Sequence, residues 1–390
     1  MRPQEVLANV PWWLVLVTAA LGLVGLAFIH SATLDRPDVS EQYGKQALFL
    51  ACGFGLSFLL LFVPYGRTLR IAWLLYGAVL VALALLPWFA PMINGARRWY
   101  TFPGFSVQPS EFAKPIVVVA LAALLRFKTR STTFEGLFVP MLVAAIPALL
   151  VLRQPDLGSS LVFWPVLLAM CWAAGAPTRG LLAVLGIGMV GAVLAYFFVI
   201  HGYQKVRIDT WAAHYQWSEL LANPSLDREA HAEMLQLQRG PAYQPWQALI
   251  AMGAGGWLGH GYAQGPQNRY DFLPYRSEDY VFAVVGEETG LLGCAAVLLL
   301  VACLVFGLLA LALRTRERFG RLVCVGIATW IGFQSLMHAA VNSWMIPSTG
   351  VPMPFLSYGG SSTLAVMLSM GLCWNIGARR EVVIAPDGYR

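Results

Sequence analysis

Five carboxylates gather between Arg269 and Gly290: Asp271, Glu278, Asp279, Glu287 and Glu288. They fall where a polar stretch ending near Ser277 runs into a long apolar segment. For a carboxylate at a helix start on the edge of an apolar medium, the helix dipole lowers the pKa and desolvation raises it, so the sign stays open at this point. Such a group can work as a general base, and charges at membrane depth mark functional sites. Asp279 is the leading candidate. The structural alternative is ordinary helix chemistry, with Ser277 as N-cap and Glu278 and Asp279 in the first turn. That alternative leaves Glu287 and Glu288 unexplained, two turns further into the apolar run. On a continuous helix Glu287 lies about 80° around from Asp279 and Glu288 about 180°. Glu287 is therefore the expected cavity partner, and Glu288 is expected to find a donor on another helix.

Three further segments carry polar chemistry. Asn94-Gly-Ala-Arg-Arg-Trp leads to Gln108-Pro-Ser-Glu-Phe-Ala-Lys114. Arg97 and Arg98 offer planar forks that suit phosphate oxygens. An internal pair, Glu111 with an arginine or with Lys114, explains the same residues equally well. In Arg153-Gln-Pro-Asp-Leu-Gly158, Asp156 is expected to cap the helix starting near Ser159. Between Pro347 and Ser362 three prolines forbid a continuous helix, so an irregular outer loop is expected. Its glycines and hydroxyls, Ser357 among them, can admit a polar ligand closely or make a tight turn. The run Gly253–Gly265 lacks the Gly-Lys-Ser/Thr of a nucleotide loop. His201, His214 and His231 lack i,i+4 spacing, so no zinc site is expected. The stretches Trp211–Leu221 and Glu229–Gln238, split by Asn223-Pro224, are expected to lie on the outer leaflet.

What must position these residues is a membrane bundle. Hydrophobic residues make up 58% of the 390, charged residues 12%, and mean hydropathy is +0.63, which excludes an ordinary soluble globule. Six cysteines sit in apolar runs without a CxxC, so neither disulfides nor zinc are expected. No small-residue cleavage site separates Met1–Val10 from the first span, which is then the insertion signal. The net charge of +6 need not imply nucleic-acid binding, because the arginines stand where a bilayer places them.

A bilayer crossing takes about 20 apolar residues, and ten candidates follow: roughly 12–32, 46–63, 69–90, 115–127, 137–152, 159–176, 180–200, 280–312, 321–346 and 361–377. The fold class is all-α and polytopic, one domain over 1–390, with a long extracytoplasmic loop, 201–278, between helices seven and eight. Lys and Arg in the short loops set the orientation. With the N-terminus cytoplasmic, one side holds Arg67, Arg70, Arg126, Lys128, Arg130, Arg179, Arg314, Arg316, Arg318, Arg321, Arg379 and Arg380. The other holds Arg36, Lys45, Arg97, Arg98, Lys114 and Arg153. Twelve against six puts both termini inside and every polar segment above on the outer face. Trp12, Trp13, Trp88, Trp99, Trp344 and Trp374 lie near span ends, where interfacial anchors are expected.

Taken together, NGARRW, QPSEFAK, QPDLG, the FLP…DYVFAVVGEETG block and the PSTGVPMPFLSYGGSS block resemble the SEDS family (shape, elongation, division and sporulation). The resemblance covers nearly the whole chain. It implies a ten-helix glycosyltransferase that polymerises lipid II, the undecaprenyl-pyrophosphate-linked disaccharide-peptide, at the outer face of the bacterial cytoplasmic membrane. It implies a class B penicillin-binding protein as cross-linking partner, Asp279 as the essential aspartate, and roles in substrate handling for Arg97, Arg98, Glu111 and Lys114. Glu287 and Ser357 join them as expected substrate-binding residues. No cofactor is required, although a divalent cation could assist the pyrophosphate. The QPDLG wording resembles the elongation branch, RodA, more than the division branch, FtsW; a lipid II flippase is the rival reading. The chain departs from the family at Pro115, expected to delay or kink the fourth helix, and at His338, where asparagine is common. It departs also in Tyr275–Glu278 and in a long loop over 209–243.

Overall fold

The structure is a computed structural model and describes residues 2–34, 36, 39–93, 95–127, 135–198, 202–215, 217 and 228–382. Asn94, Lys128, Arg130, His201 and the segment holding Asn223-Pro224 lie outside them. The elements are α1 (Pro3–Ala8), α2 (Trp12–Thr33), α3 (Glu41–Leu61), α4 (Gly66–Phe89), β1 (Tyr100–Phe102) and β2 (Phe105–Val107). There follow α5 (Pro109–Leu125), α6 (Phe138–Leu152), α7 (Leu157–Ala173), α8 (Thr178–Phe198) and α9 (Tyr203–His214). The remainder are α10 (Arg228–Arg239), α11 (Tyr243–Ala254), α12 (Pro266–Arg269), α13 (Val281–Arg314), α14 (Arg318–Asn342) and α15 (Gly360–Ala378). Among the described residues seven helices are long and apolar enough to cross a membrane. With the shorter α5, α6 and α7 they coincide with the ten expected spans, and the chain is an all-α polytopic membrane protein.

The fourth span differs from expectation. It begins at Pro109, not beyond Pro115. Proline at a first helical position lacks only an N–H that would have had no partner. Pro115 then sits inside the helix and deprives the Glu111 carbonyl of its i+4 donor. The early start puts Glu111 and Lys114 on the helix, facing inward.

Helices α5, α14 and α15 form the interior. Val117 to Leu125 are buried without a break, as are most residues of α15. Helix α3 lies along α15, α13 along α14, and α7 against α14. Helix α8, by contrast, turns Leu182, Ile187, Val190, Phe197 and Phe198 outward. With no water in the hydrocarbon to satisfy a backbone, such a surface belongs against lipid.

Helix α13 breaks at Gly290 (φ 66°, ψ −164°). The glycine run after α11 fills that break. Leu291 N–H donates to Gly256 O at 2.8 Å and Leu292 N–H to Trp257 O at 3.2 Å. In return His260 N–H donates to Glu287 O at 3.0 Å and Gly261 N–H to Glu288 O at 2.9 Å. A Cβ at Gly255 or Gly259 would strike the helix backbone, so only glycine permits the approach.

Two expectations about aromatics are corrected. Trp344 and Trp374 are 2% and 0% exposed, core residues and not interfacial anchors, whereas Trp12, Trp13 and Trp88 are exposed. Three tryptophans of the long loop are drawn into a cluster of their own, while Tyr215 beside them stays exposed. Trp211, Trp217 and Trp246 pack with Met234 around Trp344, and His214 stacks on Trp344 with centroids 4.2 Å apart. Burying large rings against one another is worth more than leaving them at an interface.

Candidate functional site

Asp279 stands just before α13, not within it. The helix starts at Val281, with Tyr280 in the N-cap position. Ser277 therefore does not cap it: its hydroxyl donates to Gln42 Oε1 at 2.8 Å. The cap comes from α14, where Asn342 Oδ1 accepts the Ala283 N–H at 2.9 Å. The same amide donates from Nδ2 to the Asp279 carbonyl at 3.1 Å. Asp279 is thus fixed by its backbone, while its half-buried carboxylate has no hydrogen bond among the described residues.

Opposite that carboxylate lies the loop between α14 and α15. At Gly350 (φ 67°) an added Cβ would stand 3.5 Å from Asp279 Oδ2 and 4.0 Å from Arg207 Nη1. The acid and the guanidinium therefore face each other across a bare glycine. Arg207, on α9, donates to Ser348 O at 3.2 Å. Arg98 is held nearby, donating Nε to Gln154 O at 2.8 Å and Nη2 to Pro155 O. Burial pushes the Asp279 pKa above its ordinary value; Arg207 and Arg98 pull it down, Asp156 pushes it up, and the balance is upward. Glu278 is pushed up to about 7, by burial and then by the Asp279 charge.

Beside these groups opens a cavity of about 840 Å³. Leu157, Leu161, Val193, Phe333 and Leu336 give it apolar walls; Arg98, Arg207, Gln204, Tyr196 and Ser348 give it a polar rim. It runs between α7, α8, α9 and α14. An apolar slot with a few convergent polar groups is the usual form of a ligand site.

Several residues expected to bind substrate are placed elsewhere. Glu111 and Lys114 are 1% and 2% exposed, joined at 2.7 Å, with Lys114 also donating to Gln334 Oε1 at 3.0 Å. The internal pair is what forms. Arg97 is exposed, donates to the Pro87 carbonyl and does not line the cavity. Glu287 is fully buried, its two oxygens accepting the N–H groups of Gln267 (2.6 Å) and Asn268 (3.0 Å). It caps α12 and does not join Asp279, because Asp279 precedes the helix and the wheel argument does not reach it. Glu288 does find its donors away from α13, in Ser31 of α2 and Asn268 Nδ2. Ser357 Oγ donates to Glu278 O at 2.6 Å and accepts from Met353 N–H at 2.8 Å, so its hydroxyl is consumed in holding the turn. Asp156 caps α7 as expected, accepting from Ser159 N–H at 3.0 Å.

Arg207 and Asn342 escaped the sequence reading. Counting charges only in short loops excludes 201–278, and with it Arg207. Among the described residues no three His, Cys, Asp or Glu side chains group as metal ligands would.

The fold and site define a polytopic membrane enzyme with an apolar cavity rimmed by polar and cationic side chains. Known proteins agree. The family described as "Cell cycle protein" (FtsW, RodA and SpoVE) matches residues 11–381. A probable peptidoglycan glycosyltransferase FtsW of Trichlorobacter lovleyi is 30% identical over 97% of this chain and 96% of its own. Rod shape determining protein RodA of Thermus thermophilus has a similar structure, with a TM-score of 0.67 and 28% identity over 95% of this chain and 97% of that one. A chain from a structure on the coordination of polymerization and crosslinking by a peptidoglycan synthase complex has a TM-score of 0.74, at 28% identity over 95% and 98%. The chain belongs to this family, the SEDS peptidoglycan glycosyltransferases.

Proposed function

We propose that this protein polymerises lipid II by inverting glycosyl transfer, with Asp279 as general base. The carboxylate takes the proton from the 4-hydroxyl of the acceptor sugar. That oxygen bonds to the anomeric carbon of the donor as the bond to undecaprenyl pyrophosphate breaks, and the pyrophosphate carries the electron pair away. Arg98 and Arg207 supply positive charge where the leaving group's negative charge develops, the interaction that most lowers such barriers. The 840 Å³ cavity seats a prenyl chain, its apolar walls continuous with the lipid-facing side of α8. A positioned base typically gives about 10²–10⁴-fold. The observation that carries this reading is the Asp279 carboxylate, free of hydrogen bonds among the described residues and facing Arg207 across Gly350.

The Lys and Arg count supports cytoplasmic termini and an extracytoplasmic site in the bacterial inner membrane. The partner we propose is a class B penicillin-binding protein, in keeping with the synthase complex to which the fold is similar. An elongation role rests on the Gln154–Gly158 wording, while relatives carry the names FtsW and RodA alike. Depletion of the protein in its own host reads the role: rounded cells mean elongation, filaments mean division.

The test is purification with the cognate transpeptidase and incubation with lipid II in sealed vesicles. Glycan polymer from wild type and none from Asp279→Asn is the expected result. Labelled lipid II crossing the bilayer without polymer would make the protein a flippase and overturn the reading.

A further inference from the structure

Gln334, His338 and Asn342 recur every four residues on α14 and so share one stripe of the helix. All three are buried, at 0%, 1% and 0% exposure. Buried polar groups are costly unless hydrogen-bonded, so their partners show what they secure. Gln334 Nε2 donates to Pro352 O at 2.6 Å. His338 Nδ1 lies 2.8 Å from Val351 O; a carbonyl only accepts, so Nδ1 carries the proton. Asn342 holds the Asp279 carbonyl. Three successive rungs therefore grip both segments of the site, the loop carrying Gly350 and the turn carrying Asp279.

The ladder is itself anchored. Gln334 Oε1 accepts from Lys114 Nζ at 3.0 Å and from Trp330 Nε1 at 2.7 Å, and Lys114 pairs with Glu111. Neither Gln334 nor His338 lines the cavity, although Phe333, Leu336, Met337 and Ala340 of the same helix do.

We infer that Gln334 and His338 are positioning residues. By holding the carbonyls of Pro352 and Val351 they set Gly350, and with it the gap between Asp279 and Arg207. Among the described residues the Lys114–Glu111 pair is joined to this ladder through Gln334. The inference rests on the role proposed above for Asp279. Misplacing reacting groups by about 1 Å costs on the order of 10²-fold in rate.

The test is lipid II polymerisation by the purified complex with His338→Leu and His338→Asn, each matched to wild type for melting temperature. Asparagine places an N–H donor where Nδ1 stands, whereas leucine offers none. His338→Leu should lower kcat on the order of 10²-fold with KM for lipid II unchanged, and His338→Asn should restore most of the rate. Gln334→Met, which removes the second tie at similar volume, should lower kcat in the same way and decides the matter if His338→Leu does not fold. Wild-type rates from the folded variants, a change in KM in place of kcat, or no rescue by asparagine would overturn the inference. Failure of both His338→Leu and Gln334→Met to fold would do the same, since the ties would then serve the fold itself. Absence of polymer from wild type would instead fail the proposed function.

Discussion

Two carboxylate clusters about eight residues apart on one segment stand in opposite surroundings. Glu287 and Glu288 lie at 0% and 1% exposure; backbone N–H groups of α12 occupy Glu287, and Ser31 and Asn268 donate to Glu288. Asp279 is half-buried, tethered by its backbone, and its carboxylate stays without a hydrogen bond among the described residues. Burial alone does not mark a catalytic acid. What separates the two regions is whether the oxygens have already been used. Oxygens that close a turn of the outer segment hold α12 against α13; oxygens left facing an arginine across a glycine remain available to a substrate.

Substitutions break this comparison in opposite ways. The largest effect on rate is expected from Asp279→Asn, which keeps size and removes the base: a loss on the order of 10²–10⁴-fold in polymer formation, with an unchanged melting temperature. Arg207→Met and Arg98→Met come next. Each removes a charge-assisted interaction worth about 1.5–3 kcal/mol, which is about 10- to 100-fold in lipid II turnover. Glu287→Ala moves the other observable. It strands the buried Asn268 N–H, at roughly 1–3 kcal/mol, and the part-buried Gln267 N–H, so the melting temperature should fall while the rate per folded molecule holds. Arg97→Ala should change turnover little, since its guanidinium is exposed and, among the described residues, meets only a backbone carbonyl. A large loss from Arg97→Ala with none from Arg207→Met would reverse the assignment of the pyrophosphate clamp.

Much of the fold was legible in the sequence, and the site only partly. Apolar run length located all ten helices, because in a bilayer length and hydropathy are nearly the whole constraint. Asp279 was legible as an acid at the edge of such a run. Its neighbours were not, because their grouping depends on how loops fold back. Glu287 looked like a cavity residue on a helical wheel; the α12 backbone that consumes it sits twenty residues earlier in the chain. Lys114 and Glu111 looked like substrate contacts until Pro109 started the helix early and turned them inward. Arg207 was hidden by the length of its loop, and Gly350 by the ordinary look of a glycine among prolines.

The acid limb of the pH–rate profile for lipid II polymerisation tests Asp279 as base most directly. A base works deprotonated, so the rate falls as pH drops through its pKa. Burial raises that pKa, and the limb should lie above the ordinary carboxylate value of about 4. Glu278, pushed up to about 7, titrates beside it, so the profile is measured on Glu278→Gln as well. A raised limb that persists in Glu278→Gln is the predicted result. A rate flat down to the ordinary carboxylate range, or a limb that vanishes in Glu278→Gln, would contradict it and remove Asp279 from the proton transfer.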